Sequence, residues 1–391
     1  MKKKFKLDTN LVRGGLTRSN FKETSEAIFL NSGFVYDSAE QAEAIFLGKK
    51  KGFQYSRYAN PTVEMFEQRL ALLDGSEACF ATASGMAAVF GSMMCQLKAG
   101  DHVVSASALF GSCRYILNDI LPKFGIEVSF IDGKNIKEWN KSIQKNTKIF
   151  FFESPSNPCL EIIDIKQVCN LAKKNKITTI VDNIFASPVL QQPVKFGADV
   201  VIYSGTKHID GQGRAMGGAV CSTNKFKENI LKPFLRHTGP CISPFNAWVL
   251  LKSLETIKIR VLSQSDNALQ IASFLEKHKK IKQVYYPGLK SFPQYVLAKK
   301  QQSAGGTMIA FKVKGGKKDA FKIINKLNIF DISNNLGDSK SLVTHPTTTT
   351  HKVLGEEARL SLGITPNPVS YTHLRAHETP EHLVCRLLLE K

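Results

Sequence analysis

Short apolar runs alternate with amphipathic stretches over residues 53–245, and this alternation constrains the fold more than any other feature of the chain. Four runs are short and rich in β-branched or aromatic residues, namely DHVVSASA, KIFFFES, ITTIVDN and DVVIYS. Stretches with helical spacing, such as IIDIKQVCNLAKKNK, lie between them. Strands that alternate with helices predict βαβ units, and therefore an α/β fold built on a largely parallel sheet.

Clusters of small and polar residues stand where predicted strands end. They are Ser84 to Met86, Glu153 to Pro158, Asp182 with Asn183, and Ser204 to Lys207. In open α/β sheets, ligands bind beyond the carboxyl ends of the strands. We therefore expect these four clusters to line one crevice.

Length and composition indicate a globular protein with room for two domains. The chain has 391 residues and a net charge of +20. A domain typically has about 100 to 200 residues. The basic excess is lysine spread along the chain, which does not favour a nucleic-acid-binding face. Eight cysteines without a CxxC pair indicate neither a metal site nor a disulfide framework. The chain contains no run of about 18 apolar residues, the length that predicts a membrane span, so we expect a cytoplasmic protein.

Four regions follow from the pattern along the chain. Weak periodicity over residues 1–46 suggests an N-terminal arm, and the alternating pattern places a cofactor-binding domain at 47–245. A long helical segment over 244–280 leads into strands near QVYYP, GTMIAFKV and IFDISNN. Residues 246–369 are therefore expected to form a smaller C-terminal α/β domain, and 370–391 a separate tail.

Lys207 stands in the turn SGTKHIDG, directly after the apolar run that ends in Ser204. A lysine is usually a solvated surface charge. Held at the end of a buried strand, however, its amine loses solvation, its pKa falls, and it becomes a nucleophile.

An anion site is predicted close to that lysine. Ser84, Gly85 and Met86 open a helix, where free backbone N–H groups and the helix dipole favour a phosphate, although the same residues also suit an ordinary helix start. Ser204 and Thr206 offer hydroxyl donors from the turn before Lys207. A phosphate and an amine would thus lie side by side.

Asp182 ends a predicted strand and is expected in the same crevice. A lone aspartate there is often a helix cap or half of a salt bridge, yet a buried carboxylate needs a partner. The protonated ring nitrogen of pyridoxal 5'-phosphate would supply one. Together with the phosphate site and Lys207, the carboxylate favours this cofactor.

The motifs that carry these residues resemble the Cys/Met-metabolism pyridoxal-phosphate enzymes. The matching segments are YSRYANPT (55–62), ATASGMAA (81–88), ESPSNP (153–158), VDN (181–183) and SGTKHIDGQG (204–213). Their order and spacing fit the family over roughly residues 8–369. The resemblance implies a type I pyridoxal-phosphate transferase fold, like that of aspartate aminotransferase.

The resemblance also implies roles for individual residues. Lys207 would bind the cofactor covalently, Asp182 would pair with the ring nitrogen, and the phosphate would be held by Gly85, Met86, Ser204 and Thr206. Asn157 would hydrogen-bond the phenolic oxygen, and Phe110 would stack on the ring where relatives often have tyrosine.

Other implied roles concern the partner subunit and the substrate. Tyr55 and Arg57 would reach the phosphate of a neighbouring subunit, which implies a homodimer or homotetramer with shared active sites. Asn335 stands where cystathionine-cleaving relatives commonly have serine, and it is expected to contact substrate.

Within the family, segments such as GPCISPFNAW and HPTTTTH are most similar to the sulfhydrylases that act on O-succinylhomoserine. That similarity implies replacement of the succinyl ester by sulfide to give homocysteine and succinate. The alternatives are cystathionine γ-synthesis with cysteine as the nucleophile, and a cofactor-binding chain without activity.

The resemblance ends near residue 369. Ser370 stands where the family has an arginine that binds the substrate carboxylate, a bidentate contact that a serine cannot make. The last 22 residues, SYTHLRAHETPEHLVCRLLLEK, also contain only one lysine. They resemble translated sequencing-adapter DNA, and we interpret residues 370–391 as non-native.

Overall fold

The computed structural model describes residues 5–352 together with the backbone of a strand at 368–372. Most of this length folds around a large seven-stranded sheet, and a second, five-stranded sheet follows it in the chain. The large sheet contains β1 Ala78–Thr82, β2 His102–Ala106, β3 Glu127–Ile131, β4 Thr147–Glu153, β5 Thr178–Asp182, β6 Val200–Ser204 and β7 Gly218–Ser222.

The large sheet is mostly parallel, as the alternating pattern predicts. Its strand order is β1-β7-β6-β5-β4-β2-β3. Only β7 runs against its neighbours, pairing antiparallel with both β1 and β6. The four predicted strands are confirmed as β2, β4, β5 and β6. Of β1 only the end, before Ser84, was predicted, and β3 and β7 escaped prediction.

Both faces of this sheet are buried. In β4, Phe150 and Phe152 belong to one hydrophobic cluster, and Ile149 and Phe151 belong to another; all four are 0% exposed. A strand buried on both sides must be apolar without alternation, because each residue meets helices on one face or the other. The run IFFF thus reflects the central position of β4.

Helices surround and connect the strands. The described residues form α1 Leu7–Arg13, α2 Ala39–Phe46, α3 Pro61–Asp74, α4 Gly85–Met94, α5 Gly111–Tyr115, α6 Ile136–Lys141, α7 Ile165–Lys174, α8 Ser187–Leu190, α9 Asn224–Phe226, α10 Lys232–Thr238, α11 Pro244–Leu254, α12 Ile257–Lys277, α13 Tyr295–Gln301 and α14 Lys317–Ile324.

Local sequence explains where these helices begin and end. α3 begins after Asn60, whose side chain accepts a hydrogen bond from the Thr62 N–H, and has Pro61 in its first turn. It ends at Gly75, whose φ of 85° suits a residue without Cβ. α4 is capped by Ser84, which accepts from the Ala87 N–H at 3.1 Å.

The prediction of one long helical segment over 244–280 is wrong in one respect. The structure divides it into α11 and α12, with Glu255 and Thr256 between them. Arg260 in α12 is 9% exposed and donates to the backbone carbonyls of His208 and Ile209. The break thus lets α12 pack against the turn that carries Lys207.

The second sheet contains β8 Ile281–Tyr285, β9 Met308–Val313, β10 Asp331–Ile332, β11 Leu342–Thr344 and β12 Pro368–Thr372. Its order is β10-β11-β12-β9-β8, so β12 is central. β12 crosses the predicted boundary at residue 369, and its Ser370 is in register with Ala310 of β9 and Thr344 of β11. The rest of the predicted tail, 373–391, lies outside the described residues.

The predicted arm is partly packed against α3. Leu11 of α1 is 4% exposed and joins the hydrophobic cluster that includes α3. Phe21 and Val35, by contrast, are 94% and 98% exposed. The boundaries at residues 46, 245 and 369 stay predictions. Among the described helices, none has the length and apolar character needed to cross a membrane.

Candidate active site

A cavity of about 470 Å³ opens at the carboxyl edge of the large sheet, where β4, β5 and β6 end and α4 begins. Residues of the second sheet, Met308 of β9 and Thr344 of β11, also line it. Nine of the predicted site residues line it, as the shared strand edge implies: Gly85, Met86, Phe110, Asn157, Asp182, Ser204, Thr206, Lys207 and Asn335.

Lys207 lies in a π-helical turn, Gly205–Ile209, that follows β6 directly. Its Nζ donates a hydrogen bond to Asn335 Oδ1 at 2.8 Å. Burial lowers the pKa of this amine from its ordinary value. A partly desolvated amine in a cavity is suited to act as a nucleophile and to exchange protons.

Asp182 is the last residue of β5 and is 5% exposed. Its Oδ1 accepts a hydrogen bond from the Ile184 N–H at 3.0 Å. Burial raises the pKa of this carboxyl to about 7. Among the described residues no salt bridge reaches it, so the carboxyl is placed to receive a cationic group from a ligand.

Glu153 ends β4 and is in register with Asp182 on the neighbouring strand. It is 4% exposed, and burial together with the adjacent Asp182 raises its pKa well above the ordinary value. Its two oxygens accept from the N–H groups of Phe110 at 2.7 Å and Asn157 at 3.3 Å. One carboxyl therefore joins the two loops that carry these residues.

The amino end of α4 forms an anion cradle with β6. The first N–H groups of a helix have no intrahelical partner, and here they belong to Gly85 and Met86, which line the cavity. A Cβ on Gly85 would lie 2.7 Å from the Cβ of Ser204. Only glycine permits this approach, which brings the Ser204 hydroxyl beside the free N–H groups.

Glu153, Asp182 and Cys113 have their potential ligand atoms within 4.8 Å of one another, a spacing that a metal ion could bridge. Burial raises the pKa of all three groups.

Tyr55 and Arg57 do not line this cavity. Arg57 lines a separate hollow together with Tyr58 and Arg236, and the Tyr55 ring packs edge-on against the Tyr58 ring. Arg57 places its guanidinium 4.7 Å from the centre of the Tyr58 ring and donates to the Arg236 carbonyl. Tyr55 is 44% exposed. Within one chain, these two side chains are apart from Lys207.

Prediction from the sequence missed several residues of the site. Glu153 was recognised only as part of a strand-end cluster, although its position matches that of Asp182 on the next strand. A polar wall is formed by Asn334, Thr344, Thr349 and Thr350, and Asn334 accepts from the Thr344 hydroxyl at 3.1 Å. Of these four, the three threonines were not predicted. These residues are more than 125 positions from Lys207, and no local pattern connects them with it.

The cavity has a group for each part of pyridoxal phosphate: an amine for its aldehyde, a carboxylate for its ring nitrogen and a cradle for its phosphate. An α/β protein with this set is a pyridoxal-phosphate-dependent enzyme. Residues 8–370 match the model of the Cys/Met metabolism PLP-dependent enzymes. The chain belongs to that family.

Relatives and solved structures agree with this assignment. The chain is 50% identical to O-succinylhomoserine sulfhydrylase of Mycobacterium tuberculosis, over 90% of this chain and 88% of that protein. It is 44% identical to the Pseudomonas aeruginosa protein of the same name, over 91% and 88%. A Campylobacter jejuni structure described as an O-acetylhomoserine (thiol)-lyase superposes with a TM-score of 0.93 at 33% identity, covering 98% of this chain and 99% of that one. That structure carries pyridoxyl-lysine phosphate.

Proposed function

We propose that this enzyme replaces the succinyl ester of O-succinylhomoserine with sulfide, forming homocysteine and succinate, a step of methionine biosynthesis. The observation that carries the proposal is the convergence of the Lys207 amine and the Asp182 carboxyl in one cavity. The two sulfhydrylases at 50% and 44% identity support the choice of substrate. Such an enzyme would work in the cytoplasm.

The described residues would hold pyridoxal phosphate at several points. Lys207 would bind its aldehyde carbon, Asp182 its ring nitrogen and Asn157 its phenolic oxygen, while Phe110 would stack on the ring. The cradle formed by Gly85, Met86, Ser204 and Thr206 would bind the phosphate. Bound in this way, the cofactor supplies an electron sink for negative charge at the substrate α-carbon.

Lys207 would then move protons. Replacement at the γ-carbon requires removal of protons from the α- and β-carbons and their later return. Because burial lowers the pKa of the Lys207 amine, more of it is neutral near neutral pH than of an exposed lysine. Asn335 accepts from Nζ at 2.8 Å and would keep the amine within the cavity.

Substrate would lie against the polar wall opposite the cradle. Asn334 offers its amide N–H groups to ester and carboxylate oxygens, while the Thr344 and Thr349 hydroxyls donate to Asn334 Oδ1 and the His345 carbonyl. By resemblance, Ser370 would stand in place of the arginine that binds the substrate carboxylate. The Ser370 backbone is in register with Thr344, which lines the cavity. This register supports a location of the substitution on the substrate side of the site.

A second subunit would complete the site. Tyr55 and Arg57 lie away from Lys207 in their own chain. Apolar side chains of the N-terminal region, Phe21, Leu30 and Val35, are 94%, 71% and 98% exposed. A surface of this kind is typical of an interface. We infer that a homodimer, or a homotetramer built from dimers, brings Arg57 to the partner's phosphate.

The reaction is tested by supplying the purified chain with pyridoxal phosphate, sulfide and either O-succinylhomoserine or O-acetylhomoserine. Homocysteine and succinate formed from the first ester support the proposal. Cystathionine formed when cysteine replaces sulfide would favour the γ-synthase, and a 2-oxo acid formed without an acceptor would favour a γ-lyase.

The missing arginine is tested with Ser370→Arg and with a chain whose residues after 369 are replaced by an Arg-Leu-Ser-type continuation. Cofactor absorbance without turnover in the present chain, and turnover in the continued one, would identify the present chain as an inactive cofactor binder.

A further inference from the structure

Glu153 is buried at the floor of the cavity, and none of the roles assigned so far uses it. Two loops meet at its carboxyl. One follows β2 and carries Phe110, and the other follows β4 and carries Asn157. Phe110 donates its N–H to Oε1 at 2.7 Å, and Asn157 donates its N–H to Oε2 at 3.3 Å.

A thiol lies close to the same carboxyl. Cys113 belongs to α5, which begins immediately after Phe110, and its Sγ is within 4.8 Å of a Glu153 carboxylate oxygen. Cys113 is 1% exposed, and Glu153 is 4% exposed. Hydrogen bonds to a buried carboxyl are strong because water does not compete with them, and losing one leaves a buried donor unpaired.

These bonds connect residues that the proposed function places against opposite parts of the cofactor. Phe110 would lie on the ring face, and Asn157 would bond the phenolic oxygen at the ring edge. Loops are ordinarily the more mobile parts of a fold. Two loops bonded to one strand-end carboxyl must keep a constant separation, because β4 itself is central and buried on both faces.

We propose that Glu153 is a positioning residue that holds the Phe110 and Asn157 loops at the separation required by the cofactor ring. We call the carboxyl with its two backbone donors, Phe110 N–H and Asn157 N–H, the Glu153 clamp. The proposal rests on the proposed cofactor roles of Phe110 and Asn157. The clamp acts through these loops and does not itself touch the substrate.

The test compares Glu153→Gln with the wild-type chain and with a matched control, Asp101→Asn. Glutamine keeps the size of the side chain but offers one acceptor oxygen in place of two. Asp101 is likewise 4% exposed and accepts one backbone N–H, that of Lys98 at 2.9 Å. It precedes β2, at the edge of the sheet away from the cavity.

Glu153→Gln should weaken binding of pyridoxal phosphate to the cofactor-free chain about tenfold. It should also reduce the visible circular dichroism of the bound cofactor, because the ring is held less rigidly. Asp101→Asn should change neither. Wild-type affinity and dichroism in Glu153→Gln would overturn the proposal.

A double-mutant cycle separates positioning from a simple charge effect on Asp182. If Glu153 acts through the loops, Glu153→Gln should cost less affinity in an Asn157→Ala background than in the wild type. Fully additive losses would contradict the clamp and favour the charge effect.

Hydrogen exchange tests the clamp in the wild-type chain itself, without cofactor and without depending on whether a variant folds. In the cofactor-free wild-type chain, the Phe110 and Asn157 amides should exchange at least tenfold more slowly than unstructured amides. Exchange at the unstructured rate would overturn the clamp even if the cofactor binds. Slow exchange in a chain that binds no cofactor would instead contradict the proposed function and leave the clamp standing.

Discussion

Glu153 and Asp182 stand opposite one another at the carboxyl ends of two parallel strands, β4 and β5, and both are buried. Each carboxyl would be costly to ionise in that position without a partner. The pair therefore makes the floor of the cavity sensitive to pH and receptive to a cation. The protonated ring nitrogen of pyridoxal phosphate is such a cation.

Asp182→Asn should change how the stability of the cofactor-free protein depends on pH. Burial raises the folded-state pKa of Asp182 to about 7, above its unfolded value near 4. Between these values the folded state binds the extra proton, so wild-type stability falls as pH rises. Relative to the wild type, the unfolding free energy of Asp182→Asn should therefore rise by up to ~1.4 kcal/mol per pH unit between pH 4 and 7. Above pH 7 the difference should stay constant.

Urea unfolding of the cofactor-free wild type and variant at pH 5 and pH 8 measures this difference. A constant difference across that interval would show that Asp182 is ionised throughout. With cofactor present the variant should lose affinity, because a neutral amide cannot pair with the ring cation.

Lys207→Ala should abolish both turnover and the absorbance of lysine-bound cofactor, because no other amine is in reach of the cavity among its described lining residues. Spectra of the reconstituted variant, read beside a homocysteine assay, provide the measurement. A variant that keeps either signal would exclude Lys207 as the attachment site.

Asn335→Ala should move the pH profile of cofactor attachment. Asn335 Oδ1 accepts from Lys207 Nζ at 2.8 Å, a bond that stabilises the charged amine. Without this acceptor the pKa of Lys207 should fall further, so the attachment rate should reach its plateau at a lower pH, by about one unit or less. Stopped-flow absorbance from pH 6 to 10 measures the shift.

The matched control is Asn334→Ala. This neighbouring amide also lines the cavity, but it accepts from the Thr344 hydroxyl rather than from the lysine. An equal shift in both variants would mean that Asn335 acts through the wall and not through its bond to Lys207.

Gly85→Ala should weaken cofactor binding tenfold or more. The added methyl group would lie 2.7 Å from the Ser204 Cβ and would separate the two sides of the phosphate cradle. Gly91→Ala is the control, since it lies in the same helix and its methyl group would meet only the end of the Leu235 side chain, at 2.5 Å. Titration of each cofactor-free protein gives the affinities, and similar losses in both would exclude the cradle as the cause.

Arg57→Ala and Lys207→Ala should complement one another when the two inactive proteins are mixed and allowed to exchange subunits. If Arg57 serves the partner's cavity, a mixed dimer contains one site with both native residues, and roughly a quarter of wild-type activity should return. Mixtures that stay inactive, although mass spectrometry shows mixed dimers, would contradict the shared site.

Much of the fold and of the site could be predicted because their determinants are local. Strand-end residues such as Asp182 and Lys207 follow from apolar runs, and Ser84 indicates a helix start by its own side chain. β7 and the break between α11 and α12 could not be predicted in this way. The direction of a strand and the course of a helix depend on what packs against them, as Arg260 of α12 packs against the Lys207 turn.

By itself, the sequence determined the α/β architecture, the family and the chemistry available at Lys207, because periodicity and motif order are written in neighbouring residues. Only the tertiary structure decided that Glu153 joins two loops, that Asn335 meets the lysine amine and that Tyr55 and Arg57 lie apart from it. Glu153 and Phe110 are 43 positions apart, and Lys207 and Asn335 are 128 apart. The packing of strands and helices alone brings such distant groups within hydrogen-bonding distance or keeps them separate.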